Sequence, residues 1–209
     1  MKPTPKSRSQ AHNKSAAAPV TLRNAARVRL TESGPADILA FGAHPDDLEF
    51  GCGGVIARET QAGRRVHLVV CSRGEAGSNG TPIVRQAEAE RAATLLGATL
   101  EFLDLDGDAH LEIKAVHAIK LAQLLRRLRP TILLAPSLVE NQHPDHWRLG
   151  RLVRDAARLA RYGGLAELRP LPSHAVDQLL YYAVTPEAEP HDISPVLIEI
   201  SAGDVLRSW

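Results

Sequence analysis

At 209 residues, 44% apolar and 23% charged, the chain is long enough for one α/β domain with a sizeable core, and its composition is ordinary for a soluble globular protein. No apolar run reaches the roughly 18 residues of a membrane span, and the first residues do not read as a secretory signal. The net charge of +1 hides an asymmetry, because residues 1–31 carry seven Lys/Arg and no Asp/Glu, leaving 18 basic against 24 acidic residues in the remainder.

Residues 1–34 are polar, rich in Pro and Ser and without periodicity, so they are expected to be a disordered basic tail ahead of a single domain over 35–209. A solvated tail is favoured over nucleic-acid contact or an organellar transit peptide. "DILAFG" (37–42) reads as a buried strand, followed by a helix over 54–62 and a second strand over 64–72. The glycine-rich loop "RGEAGSNG" (73–80) leads into a helix over 81–96, with Pro82 suited to its first turn and Gly97 to its end. "TLEFLDL" (99–105) is a third strand, 110–129 a long amphipathic helix closed by Pro130, and "TILLAPS" (131–137) a fourth strand. A helix follows from "NQHPDH" to Gly163 and Gly164, then strands "QLLYYAV" (178–184) and "VLIEIS" (196–201). The final "SAGDVLRSW" begins a helical pattern too short to stand as a terminal element, so the C-terminus reads as truncated.

Alternating apolar strands and helices predict an α/β fold, a mostly parallel sheet with helices on both faces. Ligands of such sheets lie at the carboxyl ends of the strands. "HPDD", "RGEAGSNG", "DGDAH" and "ENQHPDH" follow strands one to four, so the unusual residues share one rim. The pattern G-x-G-x-x-G does not follow strand one, where "GAHPDD" would set carboxylates against a pyrophosphate, so no dinucleotide site is expected.

Two clusters stand out on that rim: His44, Asp46 and Asp47, and His143, Asp145 and His146. Two imidazoles and a carboxylate make a catalytic zinc ligand set with one position left for water, and a second carboxylate can take that water's proton. The bland alternative for "HPDH" is a helix cap, with Pro and Asp in the favoured first turn. Cys52 and Cys71 lack C-x-x-C spacing, so both read as small buried hydrophobes in a reducing, cytoplasmic setting.

"AHPDDLEFGCGG" with a later "HPDH" closely resembles the PIG-L/LmbE-like N-acetylglucosaminyl deacetylases, from about Asp37 to the end. The resemblance implies a Rossmann-like fold and hydrolysis of the acetamide of a glucosamine conjugate with a divalent metal, usually Zn2+, although the same ligands accept Fe2+ or manganese. "SRGEAGSNGTPIVRQAEA" looks most like the bacillithiol branch, whose substrate is N-acetylglucosaminyl malate; the mycothiol and glycolipid branches carry a glutamate where this chain has Leu48. Matched position by position, the resemblance puts the metal on His44, Asp47 and His146 and makes Asp46 the general base. It makes His143, oriented by Asp145, the oxyanion stabiliser, and Arg85 the group that grips the substrate.

Asp106 and Asp108 fall where the match slips, so neither is given a role. His67, His110, His117 and His174 are expected at surface or satisfied positions, Glu75 in loop capping or substrate contact, and "RRLRP" (126–130) on a solvated helix end. The family's further C-terminal segment, which supplies a rim tyrosine, has no counterpart after "LRSW", an expectation under which metal binding survives and turnover suffers. A small N-acetylglucosamine conjugate is the expected partner, with no membrane and a homo-oligomer left open. A non-catalytic sugar- or nucleotide-binding module is the reading from another class.

Overall fold

The apolar segments pair as five parallel strands: β1 (Ile38–Gly42), β2 (Val66–Val70), β3 (Thr99–Phe102), β4 (Ile132–Pro136) and β5 (Gln178–Tyr182). In this computed structural model, which describes residues 38–140 and 143–208, their order is β3-β2-β1-β4-β5. The tail expected over 1–34 lies outside the described residues. Every residue of β1 is buried, and it runs in register with Val66–Val70 on one side and with Ile132, Leu133 and Leu134 on the other. A strand apolar on both sides of its pleat requires cover on both faces. α1 (Asp47–Gln61) and α2 (Pro82–Leu96) supply one cover, packing Leu48, Ile56 and Leu96 on Ile38, Ala40 and Leu68. α3 (Ala115–Leu128) and α4 (Pro144–Leu159) supply the other, packing Leu121, Leu125, Leu149 and Leu152 on Leu39, Phe41 and Leu133. Each fully buried Leu or Phe in these layers contributes about 1.5–3 kcal/mol.

Chain order runs outward from β1 to β3, then returns through α3 to β4 on the other side of β1. The carboxyl ends of β1 and β4 therefore flank the point where the winding reverses, the crevice in which open α/β sheets bind ligands. The loop after β1 and the N-terminus of α4 both open there.

Local signals set most of the boundaries. Thr81 caps α2 by accepting from the Val84 amide, Pro82 occupies the first turn, and Gly97 ends the helix at φ +71°. α1 differs from the expected helix over 54–62: it begins at Asp47, and its hydrogen-bonded path bends at Cys52, whose φ is −151°. The glycines here serve close packing as well as the turn. A Cβ on Gly51 would stand 2.2 Å from the Tyr182 ring, whose hydroxyl donates to the Phe41 carbonyl at 2.6 Å.

The strand expected over 196–201 does not form. The segment is irregular and mostly exposed, with Ile200 set against Gly54 of α1, and the sheet ends at β5. The terminal helix, expected to be too short to stand, does form as α5 (Ala202–Ser208). Ser201 and Asp204 cap it reciprocally, and Gln61 of α1 donates to Asp204, so tertiary contact supplies what length does not. "RRLRP" is likewise not wholly solvated. Arg126 is buried and donates to the carbonyls of Ala160, Tyr162, Leu168 and Leu171, tying α3 to the chain that leaves α4. Among the described residues no helix is long and apolar enough to cross a membrane.

Candidate metal centre

His44 leaves β1 two residues past its end, and Asp47 opens α1. The Asp47 Oδ2 accepts from the backbone amides of Ala43 and His44 at 2.8 and 3.0 Å, so one carboxylate oxygen fixes the turn. Its other oxygen, Oδ1, lies 3.0 Å from His146 Nε2, and Oδ2 lies 3.6 Å from His44 Nδ1. All three residues are buried, and their donor atoms lie within 4.8 Å of one another. Donors bound tetrahedrally at 2.0–2.2 Å stand roughly 3.4 Å apart, so this spacing suits one ion. Loops separated by a hundred residues of chain thus meet where the sequence placed its ligand set.

α4 enters the site through its cap. His143 occupies the N-cap, its Nδ1 accepting from the Asp145 amide at 3.3 Å, with Pro144 in the first turn. The capping reading of "HPDH" is therefore correct as well, and one residue both starts the helix and faces the cluster. His143 and His44 stack edge-on at a centroid distance of 4.2 Å.

Asp145, expected to orient His143, donates its amide to that ring and turns its carboxylate mainly toward His44. Its Oδ2 lies 3.3 Å from His44 Nε2 and 3.9 Å from His143 Nδ1, and it accepts from the Ala109 amide at 2.8 Å. Asp108, given no role from sequence, joins the centre. Its Oδ1 is 3.1 Å from His44 Nε2 and 3.5 Å from His143 Nε2. The available signal was its position at the end of β3 on the shared rim, which the slipped match obscured.

Asp46 holds a left-handed backbone conformation, φ +99°, which costs a non-glycine residue about 1–3 kcal/mol. Its carboxylate pairs with Arg85 Nη2 at 3.1 Å, and the same nitrogen donates to the Pro45 carbonyl at 2.8 Å. Arg85, expected to grip a substrate, is thus held on Asp46. Both line a cleft of about 570 Å³ between α1 and α2, together with Pro45, Glu49, Phe50 and Leu95.

Electrostatics favour a cation among these groups. Burial opposes charge on His44, but hydrogen bonds and charge from Asp145, Asp47 and Asp108 prevail and raise its pKa to about 10. Burial likewise opposes ionisation of Asp47, yet hydrogen bonds from His146 and His44 drive it far below the carboxylate range. Burial and the neighbouring Asp47 charge push Asp46 upward against the pull of Arg85. Four carboxylates (Asp46, Asp47, Asp108 and Asp145) converge here, while Arg85 and, 3.7 Å from Asp145, Arg148 offset two of them. The remaining excess of negative charge, to which Glu49 of the same cleft adds, has the sign that a divalent cation would offset. The residues fit such an ion by donor type, spacing and charge.

The other expectations fall into place around this core. Cys52 and Cys71 are buried free thiols, raised well above the ordinary range by desolvation. His67, His110, His117 and His174 bond to Thr99, Asp108, Glu112 and Pro130 respectively, His67 through Nδ1 with its Nε2 3.6 Å from Glu101. Glu75 caps its loop, accepting from the amides of Arg73 and Asp108. Asp106 pairs with Lys114 outside the centre.

Residues 39–157 match the sequence pattern of the PIG-L family, described as GlcNAc-PI de-N-acetylase. The chain belongs to the PIG-L family. The PIG-L match spans His44, Asp46, Asp47, Arg85, Asp108, His143, Asp145 and His146. The chain is 30% identical over 149 residues to the uncharacterized deacetylase YaiS of Escherichia coli, covering 69% of this chain and 72% of that protein. It is 30% identical over 138 residues to 4-oxalmesaconate hydratase of Pseudomonas putida, covering 60% of this chain and only 53% of that enzyme. In structure it resembles the conserved protein TT1542 of Thermus thermophilus, with a TM-score of 0.70 at 34% identity over 83% of this chain and 78% of the other. PIG-L membership thus accompanies both a deacetylase description and a hydratase among its relatives, and the reaction has to be argued from the site.

Proposed function

We propose that this chain is a divalent-metal hydrolase, zinc being the favoured ion, that removes the acetyl group from an N-acetylglucosamine conjugate, with N-acetylglucosaminyl malate of bacillithiol biosynthesis as substrate. The observation that carries the reading is the buried donor set of His44, Asp47 and His146 beside a second, half-exposed carboxylate, Asp46. The family description and the YaiS relative support deacetylation.

His44, Asp47 and His146 would hold the ion, which would supply Lewis acidity toward the acetyl carbonyl and a lowered pKa for water beside it. Asp46 accepts the proton of the water that attacks the carbonyl carbon. His143 faces the same space and donates an N–H to the oxyanion as it forms, an interaction of about 3 kcal/mol per donor. The tetrahedral centre then breaks its C–N bond, and Asp46 returns the proton to the leaving nitrogen, releasing acetate and a free amine. Arg85, at the cleft mouth, has the planar fork suited to a malate carboxylate.

Amine release from N-acetylglucosaminyl malate and from free N-acetylglucosamine, with and without a chelator, tests the reading. The malate conjugate is expected to be hydrolysed faster, and only with metal. His146→Ala is expected to lose the ion, while Asp46→Asn keeps it and loses nearly all turnover. Normal turnover in Asp46→Asn removes the assigned base. A second reading, hydration of an unsaturated polycarboxylate, is motivated by the Pseudomonas relative. It predicts loss of a conjugated ultraviolet chromophore with no amine formed.

A further inference from the structure

The loop between β3 and α3 is built in an unusual way. Asp106, Gly107 and Ala109 all have positive φ, at +74°, +86° and +64°. For the alanine and the aspartate this is strained backbone, at about 1–3 kcal/mol each. The contortion delivers two groups to the centre. The Ala109 amide donates to Asp145 Oδ2, and the Asp108 side chain, only 6% exposed, reaches His44 and His143 at once.

Asp108 is itself braced on both sides. Its Oδ2 accepts from the Ala76 amide at 3.1 Å, and its own amide donates to Glu75 Oε2 at 3.2 Å. That Glu75 oxygen also accepts from the Arg73 amide at 3.0 Å, so the β2–α2 loop grips the β3–α3 loop through two carboxylates. The directions of approach define what Asp108 does. Asp47 lies near His44 Nδ1, the inner nitrogen, while Asp108 and Asp145 share Nε2, the outer one, at 3.1 and 3.3 Å. An outer carboxylate on a ligating imidazole selects the tautomer whose inner lone pair faces the ion and fixes the ring plane.

We propose that Asp108 is a positioning residue of the centre, holding the outer nitrogen of His44 alongside Asp145, with Glu75 locking its loop. The same oxygen lies 3.5 Å from His143 Nε2, so it also bounds where that ring stands beside the metal ligand. The β3–α3 loop thereby belongs to the catalytic apparatus, alongside the loops after β1 and β4.

This inference rests on the metal-hydrolase reading above, and the test separates the two. Zn2+ affinity is measured by competition with a chromophoric chelator for the unsubstituted chain, Asp108→Ala, Asp108→Asn and Glu75→Gln. Thermal melts and kcat and KM on the acetylated substrate accompany it. The unsubstituted chain is expected to take one ion. Asp108→Ala should bind about 10- to 100-fold more weakly, the usual loss for an outer partner of a ligand. Asp108→Asn keeps an oxygen acceptor for the imidazole N–H and should recover part of that loss, with Glu75→Gln milder still. kcat should fall more than KM rises, a split that general loosening of the fold does not produce. Undiminished Zn2+ affinity in Asp108→Ala overturns the positioning role and leaves the hydrolase reading standing. Two ions in the unsubstituted chain and one in Asp108→Ala also overturn it, by making Asp108 a ligand. An unsubstituted chain that binds no ion overturns both.

Discussion

Gly150→Ala tests whether the placement of His146 depends on how closely α4 approaches the sheet. Gly150 lies one helical turn beyond His146, and the two share a buried face of α4. A Cβ at this position would stand 2.3 Å from the Pro136 carbonyl oxygen at the end of β4 and 3.2 Å from Leu138 Cδ2. The obstruction is backbone, so no side chain can rotate away, and α4 has to withdraw by roughly 1 Å, the shortfall from close packing. Overpacking of this kind costs about 1–3 kcal/mol, against about 1 kcal/mol gained by replacing a mid-helix glycine with alanine. The net loss of stability is therefore expected to stay below about 2 kcal/mol. The site should suffer far more, because His146 sits within 3.0 Å of Asp47 and a misplacement near 1 Å costs on the order of 100-fold in rate. Zn2+ competition, kcat/KM for deacetylation and calorimetric melting together check this. A variant that binds zinc and turns over like the unsubstituted chain would falsify the argument that this glycine sets the ligand's position.

Arg126→Met keeps the aliphatic stem but leaves four backbone carbonyls around Ala160, Tyr162, Leu168 and Leu171 without their charged donor. A loss of about 3–5 kcal/mol is expected, or roughly 6–20 °C in Tm for a domain of this size, with zinc affinity little changed because Arg126 lies at the end of the sheet away from the site. Gly51→Ala drives a Cβ into the Tyr182 ring and strains its bond to Phe41. It should cost about 1–3 kcal/mol by urea denaturation before any helix gain from alanine, and cost little in a Tyr182→Ala background, where the clash is gone.

Strand content, helix order and the shared rim were legible because periodicity and turn residues act locally. Pro82, Gly97 and Pro144 sit where their backbone restrictions place them. The two clusters were legible because paired His/Asp motifs followed two strands onto one rim, and the resemblance then named His44, Asp47 and His146 among them. What failed did so because a tertiary contact decided it. The alternation of 196–201 is as consistent with lying on a helix as with joining a sheet, and Ile200 meeting Gly54 settles the choice. Arg126 reads as one more basic residue near a helix end, and only the fold shows four carbonyls converging on it. Asp108 stood on the legible rim without a role because its value lies in the distance to two histidines brought in by other loops, beside three positive-φ residues that break the local pattern.

Those failures and successes meet in one physical feature of the centre. Burying Asp47 and Asp145 beside Asp108 is unfavourable for the protein alone, and two guanidiniums on four carboxylates leave the deficit incomplete. A fold under selection for stability alone gains nothing by also straining Asp46, Asp106 and Ala109 to aim these groups at one point. The sheet reverses its winding there, so β1 and β4 deliver their loops without either strand bending. Local strain and uncompensated charge thus fall together on the crevice where the rigid layers behind can hold them, and where an ion of opposite charge would restore the balance.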